Sequence, residues 1–114
     1  MMEDTNFDLV NQLAGKTALL DTAIRALGKR GNLYAEAERD YRCALSKKIL
    51  VERDKGTPVT IITDVCKGDS EIAELRFKRD CAEVSYKAAL EAINSYKLQI
   101  RILDAQIERE WHSA

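Results

Sequence analysis

Lys67, Arg76, Lys78 and Arg79 put four positive charges within about a dozen residues, beside the expected starts of two helical segments. Free backbone N–H groups at helix N-termini favour anions, phosphate above all, and basic side chains add to that field. Thr57, Thr60, Thr63 and Ser70 could contribute hydroxyl donors. The pattern predicts an anion-binding end built from Thr60, Thr63, Lys67, Ser70, Arg76 and Arg79. Two features oppose it. Asp64, Asp69, Glu71 and Glu74 are interspersed and offset much of the charge. Arg79 also has a purely structural reading, in which its aliphatic stem packs and its guanidinium pairs with a carboxylate at the bundle end.

Other chemistry has little to work with. The single histidine, His112, is the third residue from the end of the sequence, where a preorganised site is not expected. Cys43, Cys66 and Cys81 are far apart and form no CxxC pair. They are expected as small hydrophobes in or near the core rather than as a disulfide framework or metal ligands. The chain contains no P-loop, GxGxxG, HExxH or nucleophile elbow. No enzymatic activity, metal or cofactor is expected.

The elements that must position the basic cluster are helical. From Asp69 to Trp111 there is no glycine and no proline. Asp69-Ser70-Glu71 suits a helix N-terminus. Ile72, Tyr86, Ile93, Ile100 and Ile107 recur in steps of seven or multiples of seven. Three residues on, Leu75, Ala82, Ala89, Tyr96 and Leu103 do the same. This a/d seam, interrupted only by Arg79, predicts a helix over 70–111, about 60 Å long. The broad apolar surface of its C-terminal half exceeds what one shorter helix can cover. It predicts a self-association surface through Ile93, Tyr96, Ile100, Leu103, Ile107 and Trp111, with Leu98 and Ile102 beside it.

Towards the N-terminus the pattern predicts helices over 6–27 and 33–54. The apolar positions of the first are Val10, Leu13, Leu20, Ile24 and Leu27, with Leu9, Ala14, Ala18 and Leu19 widening the stripe. Gly28-Lys29-Arg30-Gly31-Asn32 reads as a stop and restart, with Gly28 left-handed at a C′ position. The unbroken heptad phase from Leu13 through Tyr34 and Tyr41 favours a kink over a turn. Gly56 is the expected C′ residue of the second helix. A short helical turn over 59–67, capped by Thr57 or Thr60 and stopped by Gly68, should follow. Val59, Ile61 or Ile62, and Val65 should close the bundle end. Ala37-Glu38-Arg39-Asp40-Tyr41-Arg42-Cys43-Ala44-Leu45 and Ala82-Glu83-Val84-Ser85-Tyr86-Lys87-Ala88-Ala89-Leu90 share the pattern A-E-x-x-Y-[KR]-x-A-L. A symmetric fold-back would set residue 41 opposite about residue 84. The expected fold is all-α: one domain of 114 residues, an antiparallel long-helix hairpin with an additional N-terminal helix and a helical turn in the connection.

Lys and Arg (18) nearly balance Asp and Glu (19). A net charge of −1 gives no general electrostatic reason to bind nucleic acid or an acidic membrane. No apolar run approaches the ~20 residues of a membrane span. The acidic start, Met1-Met2-Glu3-Asp4, has no signal-peptide character. The expected location is the cytoplasm.

The stretch from Gly56 to Asp64, Lys67-Gly68, Ile72 through Asp80, and the ending Gln106-Ile107-Glu108-Arg109-Glu110-Trp111 resemble a set of small, uncharacterised helical proteins from prophages of Gram-positive bacteria. The resemblance covers roughly residues 33–111. It implies a phage context within a bacterial host cell, a homo-oligomer and no assigned chemistry, and it carries over no site residues. Roles known for small phage proteins of this shape are blocking a host defence protein, sequestering a nucleotide signal, and assisting phage DNA replication or recombination.

Overall fold

The computed structural model describes the backbone of residues 2–113 and the side chains of residues 6–113. Three helices follow in order: α1 (Met2–Asp54), α2 (Ile62–Gly68) and α3 (Ser70–Ser113). Among the described residues there is no strand. No helix is long and apolar enough to cross a membrane. The chain divides into two compact units. The terminal unit joins Met1–Gly28 to Lys87–Ala114, and the loop unit is Lys29–Tyr86.

The stretches expected as separate helices, 6–27 and 33–54, are one helix in the structure. Neither Gly28 nor Gly31 takes a positive φ, which among the glycines is confined to Gly56. The physical reason lies in the seam. Leu13, Leu20, Leu27, Tyr34 and Tyr41 keep one heptad phase through the glycines, and all five are half-buried or buried. A turn at 28–32 would destroy that phase. Gly31 has its own use: a Cβ there would lie 3.4 Å from Cε2 of Tyr86, so the missing side chain lets the Tyr86 ring approach α1.

Gly28 has no such neighbour, since a Cβ at this position meets nothing within 4 Å. Gly28→Ala should therefore stabilise the protein by about 0.5–1 kcal/mol, the helix-interior difference between the two residues. Urea denaturation reads this directly. A loss of stability instead would mean that residue 28 needs the left-handed conformation and that α1 is broken there.

In the loop unit the helices run antiparallel. As the numbering rises on α1 it falls on α3: Tyr34 meets Tyr86 with ring centroids 5.9 Å apart, Glu38 pairs with Arg79 at 3.2 Å, and Lys48 lies 3.7 Å from Asp69. The register differs from the symmetric fold-back. Tyr41 lies under Arg79, with the guanidinium carbon 4.7 Å from the ring centroid, rather than opposite residue 84. The two A-E-x-x-Y segments therefore do not face each other. The connection is asymmetric: α1 overruns the start of α3 beyond Lys48, and α2 fills in beside that overrun.

The end of α1 closes as its sequence predicts. Gly56 takes φ 85°, the Thr57 amide donates to the Glu52 carbonyl (3.1 Å) and the Gly56 amide to that of Arg53 (3.0 Å). These are the paired bonds of a Schellman motif. The Thr57 hydroxyl is spent on the Glu52 carboxylate (2.7 Å), so it does not cap α2. α2 starts at Ile62 rather than 59, without a side-chain cap at Ile61. It ends where Asp69 turns extended. The Asp69 carboxylate then accepts from the amides of Glu71 and Ile72 and caps α3.

The core is thin. Tyr41, Ile62, Cys66, Ile72, Ala89, Ile93 and Leu103 are its buried apolar members. Every other residue of the two α3 seam rows is half-buried, Arg79 included. At the loop end Ile62 and the fully enclosed Cys66 do the closing, whereas Val59, Ile61 and Val65 are exposed. A helix as short as α2 can bury only one stripe, and 62 and 66 are one turn apart. Cys43 and Cys81 are exposed, so Cys66 alone behaves as a core hydrophobe. Val10 and Ile24 of the expected first-helix row are also exposed.

Candidate anion-binding groove

The loop unit contains an open groove of about 450 Å³ to which all three helices contribute. α1 supplies Glu38, Tyr41, Arg42, Leu45, Ser46 and Ile49, four successive turns of one face. α2 contributes Lys67, and α3 contributes Arg76 and Arg79 one turn apart. The seam dictates this convergence. Tyr41 must face α3 to be buried, which turns Arg42, Leu45 and Ser46 to its flank. Arg79 falls at a seam position and can only reach the groove across Tyr41.

Glu38 organises the cationic wall. One carboxylate oxygen pairs with Arg42 and the other with Arg79 at 3.2 Å. Arg79 also reaches Asp80 at 2.8 Å and stacks on Tyr41. The hydrogen bond from Arg42, helped by Arg79, holds the Glu38 carboxyl below its usual range, although partial desolvation pulls the other way. The bond to Asp80, and then that to Glu38, raises the already high pKa of Arg79. Arg79 thus has the stem packing and carboxylate pairing of the structural reading while it also lines the groove. Among the described residues, no carboxylate forms an ion pair with Lys67 or Arg76.

Of the residues expected to form an anion site, Lys67, Arg76 and Arg79 share this groove. Thr60, Thr63 and Ser70 are exposed and do not line it. Arg42 and Ser46 come from α1, more than twenty residues upstream. The spacing of the basic residues around α3 gave no sign of them, and only the antiparallel register brings them in. Lys78 goes to a different recess, with Leu33, Asp40 and Leu75.

A second cluster ties α1 to the start of α3. Glu52, buried, accepts from the Thr57 hydroxyl and lies 3.6–3.7 Å from the ammonium groups of Lys55 and Lys48. Lys48 bridges on to Asp69. The Thr57 hydroxyl, with help from both lysines, lowers the Glu52 pKa. Carboxyls lowered in the folded state stabilise it fully above their unfolded value, 4.5 here, and lose that contribution as pH falls through the folded value. Thermal stability should accordingly drop below about pH 4.5. Glu38→Gln combined with Glu52→Gln should flatten that drop in a series of melts from pH 7 to pH 2.5. An equally steep drop in the double variant would assign the acid sensitivity to other groups.

The residues expected at a self-association surface divide. Ile93 and Leu103 are buried inside the terminal unit and are not available to a partner. Tyr96, Ile100 and Ile107 are half-buried, and Trp111 is 73% exposed. The accessible apolar residues of this stretch are Leu98, Ile102 and Trp111. Ile102 borders a shallow recess of about 210 Å³ with Gln12, Lys16, Gln99 and Leu103, within which Lys16 is the one charged side chain.

Comparison of the chain with protein-family models, with characterised proteins and with solved structures gives no match. What the groove and the terminal unit do must be judged from their own side chains. Among the described residues, no group of three or more His, Cys, Asp and Glu side chains is placed to hold a metal ion.

Proposed function

We propose that the protein is a non-enzymatic, homo-oligomeric binding protein of phage type, acting in the bacterial cytoplasm as a counter-defence factor. It would work by occupying a host protein or by sequestering a small anionic nucleotide. The observation that carries the self-association is the exposed apolar surface of the terminal unit: Phe7, Val10, Leu19 and Ile24 on α1, and Leu98, Ile102 and Trp111 on α3, are each 45–73% exposed.

The groove supports binding over catalysis. Its one carboxylate is tied to two arginines and has a lowered pKa, which makes it a poor general base at neutral pH. Light scattering across a micromolar dilution series tests the assembly. A symmetric oligomer is the expected result, and a monomer mass throughout would remove the reading. The second reading, an accessory factor of phage DNA replication or recombination, draws on the same cations. It requires binding to single strands that weakens steeply with salt.

A further inference from the structure

The cationic groove has a composition more specific than a general attraction for anions. We infer that it takes a nucleoside diphosphate, with the diphosphate between Lys67, Arg76, Arg79 and Arg42 and the nucleoside over Leu45 and Ile49. The inference rests on the reading of the chain as a binding protein, and not on its self-association.

Charge comes first. Four cations and one carboxylate line the groove, and Asp80, outside the lining, also pairs with Arg79, which leaves a net of two positive charges. A phosphodiester carries about one negative charge, a phosphate monoester nearly two and a diphosphate ester about three. A phosphodiester leaves the wall under-neutralised, whereas a phosphate monoester or a diphosphate satisfies it. The spread of the cations over three helices favours the diphosphate. Glu38 holds Arg42 and Arg79 from its two oxygens, so both guanidiniums are positioned before a ligand arrives. Tyr41 backs Arg79 from behind. Lys67 and Arg76, without an ion pair among the described residues, come from two different helices and can close on the ligand. Guanidinium forks bind phosphate oxygens in pairs, which suits adjacent phosphates. Beside this wall, Leu45 and Ile49 are half-buried and one turn apart, an apolar strip for a base or sugar. The volume, about 450 Å³, falls in the range of small-molecule sites.

The test is titration of the full-length protein with ADP, AMP, inorganic diphosphate and a dT oligonucleotide, read by calorimetry and by the thermal midpoint. ADP should bind and raise the midpoint by several degrees at a hundredfold excess over its Kd. AMP and inorganic diphosphate should each bind at least tenfold more weakly, one lacking a phosphate and the other the nucleoside. Lys67→Ala with Arg76→Ala should weaken ADP binding a hundredfold or more; both side chains are exposed, so the fold should survive, and an unchanged circular dichroism melt checks that. Absence of ADP binding, or binding unaltered in the double variant, would overturn the site. Equal affinity for inorganic diphosphate would overturn the nucleoside assignment, and preference for the oligonucleotide would overturn a small ligand. Phosphorus NMR of the mixture separates the two readings: release of phosphate would remove the non-enzymatic reading and leave the site standing.

Discussion

Tyr41→Ala should cost about 3–5 kcal/mol of unfolding free energy, the usual loss for truncating a buried aromatic residue. Tyr41 is the one aromatic side chain among the buried residues, at 6% exposure, in a core with few large members. Its ring fills the gap between α1 and α3 and supports the guanidinium of Arg79. A domain of this length has roughly 6–17 kcal/mol in total. The variant should therefore keep between about a sixth and about four fifths of the parent's stability, and its urea midpoint should fall in the same proportion. Tyr41→Phe keeps the ring and should stay within about 1 kcal/mol of the parent. The comparison matters because the loss has two parts. A large loss in the alanine variant with none in the phenylalanine variant assigns the effect to ring packing. Comparable losses in both would assign it to the hydroxyl, for which the packing described above has no role. A loss below 1 kcal/mol in the alanine variant would contradict the register that puts Tyr41 under Arg79.

That register separates what the sequence reveals from what it hides. The α3 seam was legible because heptad spacing is a property of one helix. Ile72, Ala89, Ile93 and Leu103 are all buried, and the limits of the helix differ from expectation by two residues at its end. The C-terminus of α1 was legible for the same local reason, since Gly56 and the residues around it complete the cap by themselves. The glycines at 28 and 31 misled because propensity argues for a stop while packing decides. The heptad phase carried the answer, and the Tyr86 ring needs a glycine at 31 within a helix, not at the end of one. The partners of Arg79 were beyond reach. An arginine at a seam position announces that something compensates it, but Glu38 and Tyr41 are set by the asymmetric connection, which depends on how α2 seats Ile62 and Cys66. The groove was half visible for this reason. Its α2 and α3 cations are close in sequence, whereas Arg42 and Ser46 arrive only with the fold.

The second large effect concerns the terminal unit. Ile102→Glu should weaken self-association by two to three orders of magnitude without unfolding the chain. Ile102 is 51% exposed, so the carboxylate is solvated in a free protomer and the fold loses little. Leu98 lies one turn away at 55%, and Leu19 lies one turn beyond Lys16 on α1 at 45%. Gln12 and Gln99 separate these residues without adding charge, which leaves Lys16 as the one ion in the recess. Such a surface, apolar and poor in charge, resembles the centre of an interface rather than its rim. A carboxylate buried there has Lys16 alone to pair with, and desolvating both ions outweighs that single pair by several kcal/mol, each 1.4 kcal/mol being a factor of ten in Kd. Sedimentation equilibrium of the variant should give protomer mass at concentrations where the parent is assembled, with an unchanged helical spectrum. Val84→Glu is the control, since Val84 is more exposed, at 69%, but belongs to the loop unit. If both variants assemble like the parent, the interface lies elsewhere, and Val10, Ile24 and Trp111 become the residues to charge. If Val84→Glu alone dissociates, the loop unit carries the contact. The cationic groove would then lie in the unit that assembles, and ligand binding and assembly would have to be measured together.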